Sequence, residues 1–285
     1  MAEPLRLGGP VTVAATALSL AHLSLIACDC ETLVRHAAEA GFDAVDLRLA
    51  PATPTDRCYS AAERLVVCRQ LLPLLRSTGV RVWDVEIIRI DTQTRAQDHL
   101  PLMEAAALLG ARRLKVVAVN PDETRVATVL AELCVLAAPF GLVVDLEYMV
   151  FTAVKSLAAA LRIVRMADQP NLQVLVDALH WMRAGDGLEQ IRAAPPALLG
   201  YVQLCDGPLR SPGESALLLQ EARTARLVPG EGEFPLTALL EAMPQVGMAS
   251  LEVPLPPGRA AADHAQRLLR GARALLDRVG GKITP

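Results

Sequence analysis

Four polar residues interrupt apolar runs where chemistry would need them. Glu147 closes Leu-Val-Val-Asp-Leu-Glu, Asp177 closes Leu-Gln-Val-Leu-Val-Asp, Gln203 lies within Tyr-Val-Gln-Leu-Cys-Asp, and Glu252 lies within Ser-Leu-Glu-Val-Pro. A carboxylate inside an apolar segment is costly to bury unless it is paired or bound to a metal. Each acid alone could equally be a helix N-cap or half of a rim salt bridge; four such residues closing four consecutive runs weigh toward one shared site. Three carboxylates and an amide oxygen form a hard, oxygen-only donor set for one divalent ion. That set favours Mn²⁺ or Mg²⁺ and admits Co²⁺ or Zn²⁺, although Zn²⁺ prefers His and Cys.

The elements that would carry these residues follow from period. Eight short, nearly continuous apolar runs recur: Leu18–Leu25, Ala44–Leu49, Val80–Ile88, Arg113–Val119, Leu142–Tyr148, Leu172–Asp177, Leu199–Cys205 and Met248–Val253. Continuous rather than alternating apolar character is what a strand covered on both faces requires. Between them lie segments with helical spacing: Glu31–Ala40, Ala61–Ser77, Thr94–Leu109, Thr124–Ala138, Val154–Ala167, Gly187–Ala194, Pro235–Ala242 and Ala261–Val279. Gly41, Gly79, Gly110 and Gly141 fall just past four of these, where a residue with positive φ ends a helix. Eight strand–helix repeats predict an α/β fold, a (β/α)8 TIM barrel forming a single domain over residues 1–285. In such barrels the catalytic groups sit at the C-terminal ends of strands, so Glu147, Asp177, Gln203 and Glu252 converge at one rim. The longest connection, residues 206–234 after the seventh strand, holds Pro208, Pro212, Gly213 and Val228-Pro-Gly-Glu-Gly-Glu. It is placed to act as an active-site lid.

With those motifs the chain resembles the xylose isomerase-like barrel superfamily, in particular the proteins grouped as sugar phosphate isomerases/epimerases, from about Thr12 to Gly280. The likeness rests on Asp177-Ala-Leu-His180, matching an Asp-x-x-His at the sixth strand, on Leu-Glu147-Tyr-Met, on Tyr201-Val-Gln203-Leu-Cys-Asp206-Gly and on Leu251-Glu252-Val-Pro. The resemblance implies that Glu147, Asp177, Gln203 and Glu252 bind one divalent cation and that Glu147 and Glu252 also handle the proton beside a carbonyl. Many members carry His where this chain has Gln203. That departure is similar to members that dehydrate cyclic 3-dehydro acids.

A metal chelated by a hydroxyl and its neighbouring carbonyl acidifies the adjacent C–H and stabilises an enediolate. Returning the proton to the other face gives epimerisation, moving it one carbon gives isomerisation, and losing a β-hydroxyl gives dehydration. The leading expectation is a metal-dependent isomerase or epimerase of a small polyhydroxylated carbonyl compound. The alternative is a lyase that dehydrates a cyclic keto acid or inosose such as a 3-dehydroshikimate-like substrate.

Further residues are candidates for holding that substrate. His180 could bond to it or to a metal-bound water, and Glu86 and Arg89 could orient hydroxyl groups. Arg48, Lys115, Arg183 and Arg210, with Arg223 and Arg226 on the long connection, could bind a carboxylate or phosphate. A rim salt bridge or a solvated face explains each of these cations equally well. His22 faces either the barrel mouth or the core.

Composition narrows the partners. With 52% hydrophobic and 21% charged residues, the 285-residue chain has material for a sizeable core. A net charge of −3 provides no field for nucleic acid or an anionic membrane, and 3% aromatics provide few stacking platforms. Endonuclease IV shares the superfamily barrel, but a DNA-repair site needs a His-rich three-metal cluster, and of five histidines only His180 and His22 lie near strand ends. A barrel that binds a sugar without turning it over is the remaining non-enzyme reading. There is no GxxxxGK[ST], GxGxxG, HExxH or GxSxG motif. Six scattered cysteines without a CxxC pair fit a reduced, cytoplasmic protein. Val11–Ala27 reads as a buried first strand rather than a targeting segment, and the apolar helices allow a homo-oligomer. A four-oxygen site predicts tight binding of one divalent ion, lost in Glu147→Gln and Asp177→Asn; elemental analysis after Mn²⁺ reconstitution that finds no metal in the unaltered protein would sink it.

Overall fold

A computed structural model of the chain describes residues 16–53, 56 and 58–280. Positions 11–15 of the first apolar segment and the ends of the 1–285 domain therefore lie outside the described residues. Eight parallel strands form the frame: Ala17–Ala21 (β1), Ala44–Arg48 (β2), Arg81–Ile90 (β3), Arg113–Ala118 (β4), Val143–Glu147 (β5), Leu172–Asp177 (β6), Leu199–Leu204 (β7) and Met248–Leu251 (β8). They pair in chain order and β8 closes onto β1, so the sheet is a barrel without edges. Around it lie α1 (Cys30–Ala40), α2 (Ala61–Thr78), α3 (Leu100–Leu108), α4 (Glu123–Ala137), α5 (Leu157–Ala167), α6 (Ala178–Ala184), α7 (Leu188–Ala193), α8 (Ser215–Thr224), α9 (Leu236–Ala242) and α10 (Ala261–Gly280). The expected (β/α)8 barrel is the observed fold.

Local chemistry sets the boundaries. Asp29, Asp122 and Ser156 accept hydrogen bonds from backbone amides at the starts of α1, α4 and α5, and Ser60 with Glu63 forms a full capping box on α2. The four expected terminal glycines all take positive φ. Ser156 is also why α5 starts three residues later than the spacing predicts. The segment predicted to be helical from Thr94 opens as a 3₁₀ turn, Ala96–His99, before Pro101 starts α3. The first run stops at Ala21 and turns through a 3₁₀ segment, His22–Leu25. Two helices lie where none is predicted: α6 directly after β6, and α8 inside the 206–234 connection.

Strand alternation explains the interior. Residues two apart share a face, so Asp46 and Arg48, Asp84 and Glu86, Arg113 and Lys115, Asp145 and Glu147, Leu175 and Asp177, Tyr201 and Gln203, and Ser250 and Glu252 form successive rungs on the strands. At the lower end, Ala44, Leu175, Tyr201 and Met248 make a small apolar plug, with Ala17 and Trp83 packed against it. Above it lies a polar layer: Ser19 and Ser250 donate to Asp46, and Tyr201 donates to Asp84. The main apolar core lies between barrel and helices, with Leu47, Val116, Leu146 and Val176 facing it from the strands.

The 206–234 connection is stapled at its base. Asp206 and Leu227 exchange backbone hydrogen bonds, and the Asp206 carboxylate accepts from Gly207, Gly230 and Phe234 amides, each at 2.9 Å. Arg183 holds its middle, bonding Glu221 of α8 at 2.6 Å and the Pro208 carbonyl at 2.8 Å while lying over Phe234. Gly232 is required here, because a Cβ on it would meet Asp206 Oδ1 at 2.4 Å and Gly207 backbone at 2.6 Å. Gly232→Ala should therefore cost on the order of 1–3 kcal/mol through overpacking. Limited proteolysis should then cut within 208–228 well before the barrel, whereas wild-type resistance in that segment would contradict the staple.

Candidate functional site

The C-terminal ends of the strands bring a charged cluster to the barrel mouth. Glu147 ends β5, Asp177 ends β6, Gln203 lies in β7, and Glu252 directly follows β8; all four are buried. Asp177 Oδ1 caps α6 by accepting from the amides of Leu179 (2.8 Å) and His180 (3.1 Å). This sharp strand-to-helix turn places the His180 ring over the mouth, edge-on to Phe151. Glu252 Oε1 accepts from Lys115 Nζ at 3.2 Å and from Gln203 Nε2 at 3.0 Å. Lys115 also bonds Glu86 at 3.0 Å, and Arg48 closes on the other Glu86 oxygen at 2.9 Å. Arg226, just past α8, bonds Asp177 Oδ2 at 2.6 Å and lies 3.0 Å from Glu252 Oε2.

Of the residues proposed from sequence, the mouth therefore assembles Glu147, Asp177, Gln203, Glu252, His180, Glu86, Lys115 and Arg48. Two stand apart. Arg210 is exposed on the 206–234 connection and lies outside the cavity lining, and Arg183 spends its guanidinium on Glu221 and the carbonyl of Pro208. His22 is occupied on both sides of its ring, by Cys28 O and by the Arg48 amide at 3.0 Å each, so it braces the backbone below the rim. Arg226, for which sequence weighs a solvated face equally with a ligand contact, is buried in the centre of the cluster. Sequence reasoning misses Asp46 and Asp84 in the layer beneath, whose oxygens lie within 4.8 Å of each other and of Glu86. Counting back two residues from each mouth residue would have found it.

Burial and neighbours divide these acids. Burial, with the nearby Glu252 and Asp177 charges, pushes Glu147 up to about 8 against the opposing pull of Lys115 and Arg226. Burial also raises Glu252, but Lys115, Arg226 and Arg48 outweigh it and hold this carboxyl at about 2. Burial lowers His180 to about 4, leaving a neutral imidazole at pH 7. Lys115 stays charged: burial disfavours its ammonium, and Glu252, Glu86 and Glu147 more than offset that.

The donor chemistry fits a divalent cation. Gln203 Oε1 and both His180 ring nitrogens are buried without a hydrogen-bond partner, which in a native interior calls for an explanation. Ligand atoms of Glu147, Asp177 and His180 lie within 4.8 Å of one another. In the lower Asp46–Asp84–Glu86 group every oxygen but Asp84 Oδ1 is engaged, by Ser19, Ser250, Tyr201, Lys115 and Arg48. Beside the upper cluster is a cavity of about 100 Å³, walled by Leu23, Ile87, Met149 and Phe151 and bordered by Arg48, Arg89, Lys115, Arg223 and Arg226. A larger groove of about 520 Å³ on the outside, along α4, has no convergent buried polar groups and is not where the chemistry lies.

Comparison with known proteins agrees with the barrel fold. The family model for the xylose isomerase-like TIM barrel matches residues 34–272, and the chain belongs to that family. A 3-dehydroshikimate dehydratase of Pseudomonas putida is 31% identical over 117 residues, which is 40% of this chain and only 18% of that relative's length. Among solved structures, a xylose isomerase-like TIM barrel/4-hydroxyphenylpyruvate dioxygenase fusion protein superposes with a TM-score of 0.76 at 23% identity, covering 93% of this chain and 44% of the other. The IolI protein with a bound zinc atom superposes with a TM-score of 0.78 at 17% identity, covering 93% and 99%. Among the described residues, no helix is long and apolar enough to cross a membrane.

The lower layer generates a pH-dependent expectation. Burial raises Asp46 to about 7, so the folded chain keeps a proton that the unfolded chain releases near pH 4. Stability from this group is therefore lost as pH rises from about 4 to about 7. Asp46→Asn removes the effect while keeping an acceptor for Ser19 or Ser250. Its stability relative to wild type should climb across that window, by at most roughly 4 kcal/mol. Urea unfolding at pH 5 and pH 8 measures the change; an unchanging difference between the two proteins would refute the protonated Asp46.

Proposed function

We propose that the chain is a divalent-metal-dependent lyase that dehydrates a small cyclic hydroxy keto acid of the 3-dehydroshikimate kind. The observation that carries this is the cavity lining: Arg89 and Arg223 border a space the size of one small ring, next to Arg48, Lys115 and Arg226, whose charges are shared with Glu86, Glu252 and Asp177. A neutral polyol gains little from such a lining, whereas a carboxylate gains strong charge-assisted hydrogen bonds. The Gln203 donor and the partial match to a 3-dehydroshikimate dehydratase support the same choice over the isomerase ranked first from sequence.

Held by Glu147, Asp177, Gln203 and Glu252, a divalent ion would supply positive charge that keeps Glu147 ionised and acidifies the C–H beside the carbonyl. Glu147 has the higher proton affinity of the two glutamates and is the better base. It takes the proton as the C–H bond breaks. The β-hydroxyl then departs with that proton as water, leaving a carbon–carbon double bond. Glu252 stays ionised beside Lys115 throughout, and Phe151 with Met149 keeps bulk water from the base.

Epimerisation or isomerisation is the second reading. It is favoured by Glu147 and Glu252 reaching the mouth from the β5 and β8 sides, which suits proton removal on one face and return on another. Mn²⁺-loaded protein given 3-dehydroshikimate should lose one water, read as the ultraviolet absorbance of the aromatic product, and Glu147→Gln should slow this by at least about 100-fold. Deuterium uptake from D₂O into a ketose without loss of water would instead select the second reading, and neither activity would defeat both.

A further inference from the structure

The oxygens at the mouth can be counted one by one. Asp177 Oδ1 is committed to the Leu179 and His180 amides that start α6, which leaves Oδ2 as its coordinating atom. Glu252 Oε1 already takes Lys115 and Gln203, which leaves Oε2. Both remaining oxygens belong to one group: Arg226 reaches Oδ2 through Nη1 at 2.6 Å and Oε2 through Nη2 at 3.0 Å. Its side chain is 2% exposed, and Nε donates to the Ala222 carbonyl at the end of α8. By contrast Glu147 faces only the neutral His180 ring, 3.9 Å from Nε2, and Gln203 Oε1 is buried without a hydrogen-bond partner. Half of the donor set is free and half is held by a guanidinium that comes from the lid.

Taking the four-residue set as cation ligands, we propose that Arg226 is a displaceable internal cation that determines both the strength and the valence preference of metal binding at the mouth. A guanidinium and a divalent ion sharing Oδ2 and Oε2 would repel each other in a medium of low dielectric. Entry of the ion therefore withdraws Arg226 from Asp177 and Glu252. Without Arg226, Asp177 would lose its guanidinium partner and Glu252 would keep Lys115 alone, a costly arrangement for buried carboxylates. Arg226 thus compensates this pair of acids, and a monovalent ion cannot outbid a bidentate guanidinium of equal charge. Because Arg226 is tied to α8, its release also loosens the lid, which Arg183 and Glu221 otherwise hold down.

The test measures metal affinity rather than turnover. Mn²⁺ binding, followed by calorimetry and by the loss of the free-ion electron paramagnetic resonance signal, is compared in the wild type, Arg226→Gln and Arg226→Lys. The lysine keeps the charge but cannot span both carboxylates. Arg226→Gln should bind Mn²⁺ at least tenfold more tightly than wild type, with Arg226→Lys between them. Glu221→Gln, which leaves the mouth intact and weakens only the lid anchor, should tighten binding several-fold, and it decides the matter if Arg226→Gln melts early. In wild-type protein, Mn²⁺ should speed amide exchange across 215–228. Equal or weaker Mn²⁺ binding in a folded Arg226→Gln, or slower exchange in the lid, overturns the displacement and leaves the metal site standing. Failure of every protein to bind Mn²⁺ overturns both.

Discussion

Charge buried along the barrel axis is the constraint to which the other features answer. Asp46, Asp84, Glu86, Asp145, Glu147, Asp177 and Glu252 are all buried, and the cations facing them are Arg48, Arg113, Lys115 and Arg226. Isolated ionised groups in such a place are prohibitively expensive, so each must be paired, protonated or offset by a bound ion. The chain uses the first two. Glu86 and Glu252 are paired through Lys115, and burial favours the protonated forms of Asp46, Asp84 and Glu147. A divalent ion at the mouth would supply the third by holding Glu147 ionised.

The same accounting explains why Lys115 occupies a position few lysines tolerate. A fully buried ammonium survives because Glu86 and Glu252 bracket it at 3.0 and 3.2 Å. Removing either partner would leave an uncompensated charge, so the Glu86–Lys115–Glu252 chain behaves as one unit. It locks the Glu252 side chain from below while Arg226 locks it from the lid. A carboxylate fixed from two directions is a precise element in an otherwise adjustable site.

The barrel was legible from sequence because its strands are almost purely apolar and its helices carry caps and terminal glycines. Glu147, Asp177, Gln203 and Glu252 could be picked out for the same reason: each breaks a run that is otherwise hydrophobic. The two readings weighed for Asp177, helix cap and member of a polar site, turned out to be compatible, since one oxygen serves each. Helix α6 escaped notice because Asp177 is at once the last residue of β6 and the cap of α6, leaving no turn residues between them. Helix α8 escaped because its flanks, rich in Pro and Gly, look like loop. Arg226 could not be ranked above Arg210 or Arg223, because burial of a guanidinium is decided by where the lid folds back and carries no local signature.

The Asp206 staple has a consequence for how such a barrel diversifies. Because one carboxylate gathers Gly207, Gly230 and Phe234, the two ends of the connection meet at a single point, and between them it touches the mouth through Arg226 and is held by Arg183 at Pro208 and Glu221. Lengthening a closed loop adds little entropy cost, about 0.6 kcal/mol for each doubling. The stretch from Arg210 to Glu214, outside those anchors, can therefore be exchanged, extended or shortened in descent while β7 and β8 keep their register. The barrel below it serves as a fixed chemical chassis beneath an interchangeable recognition module.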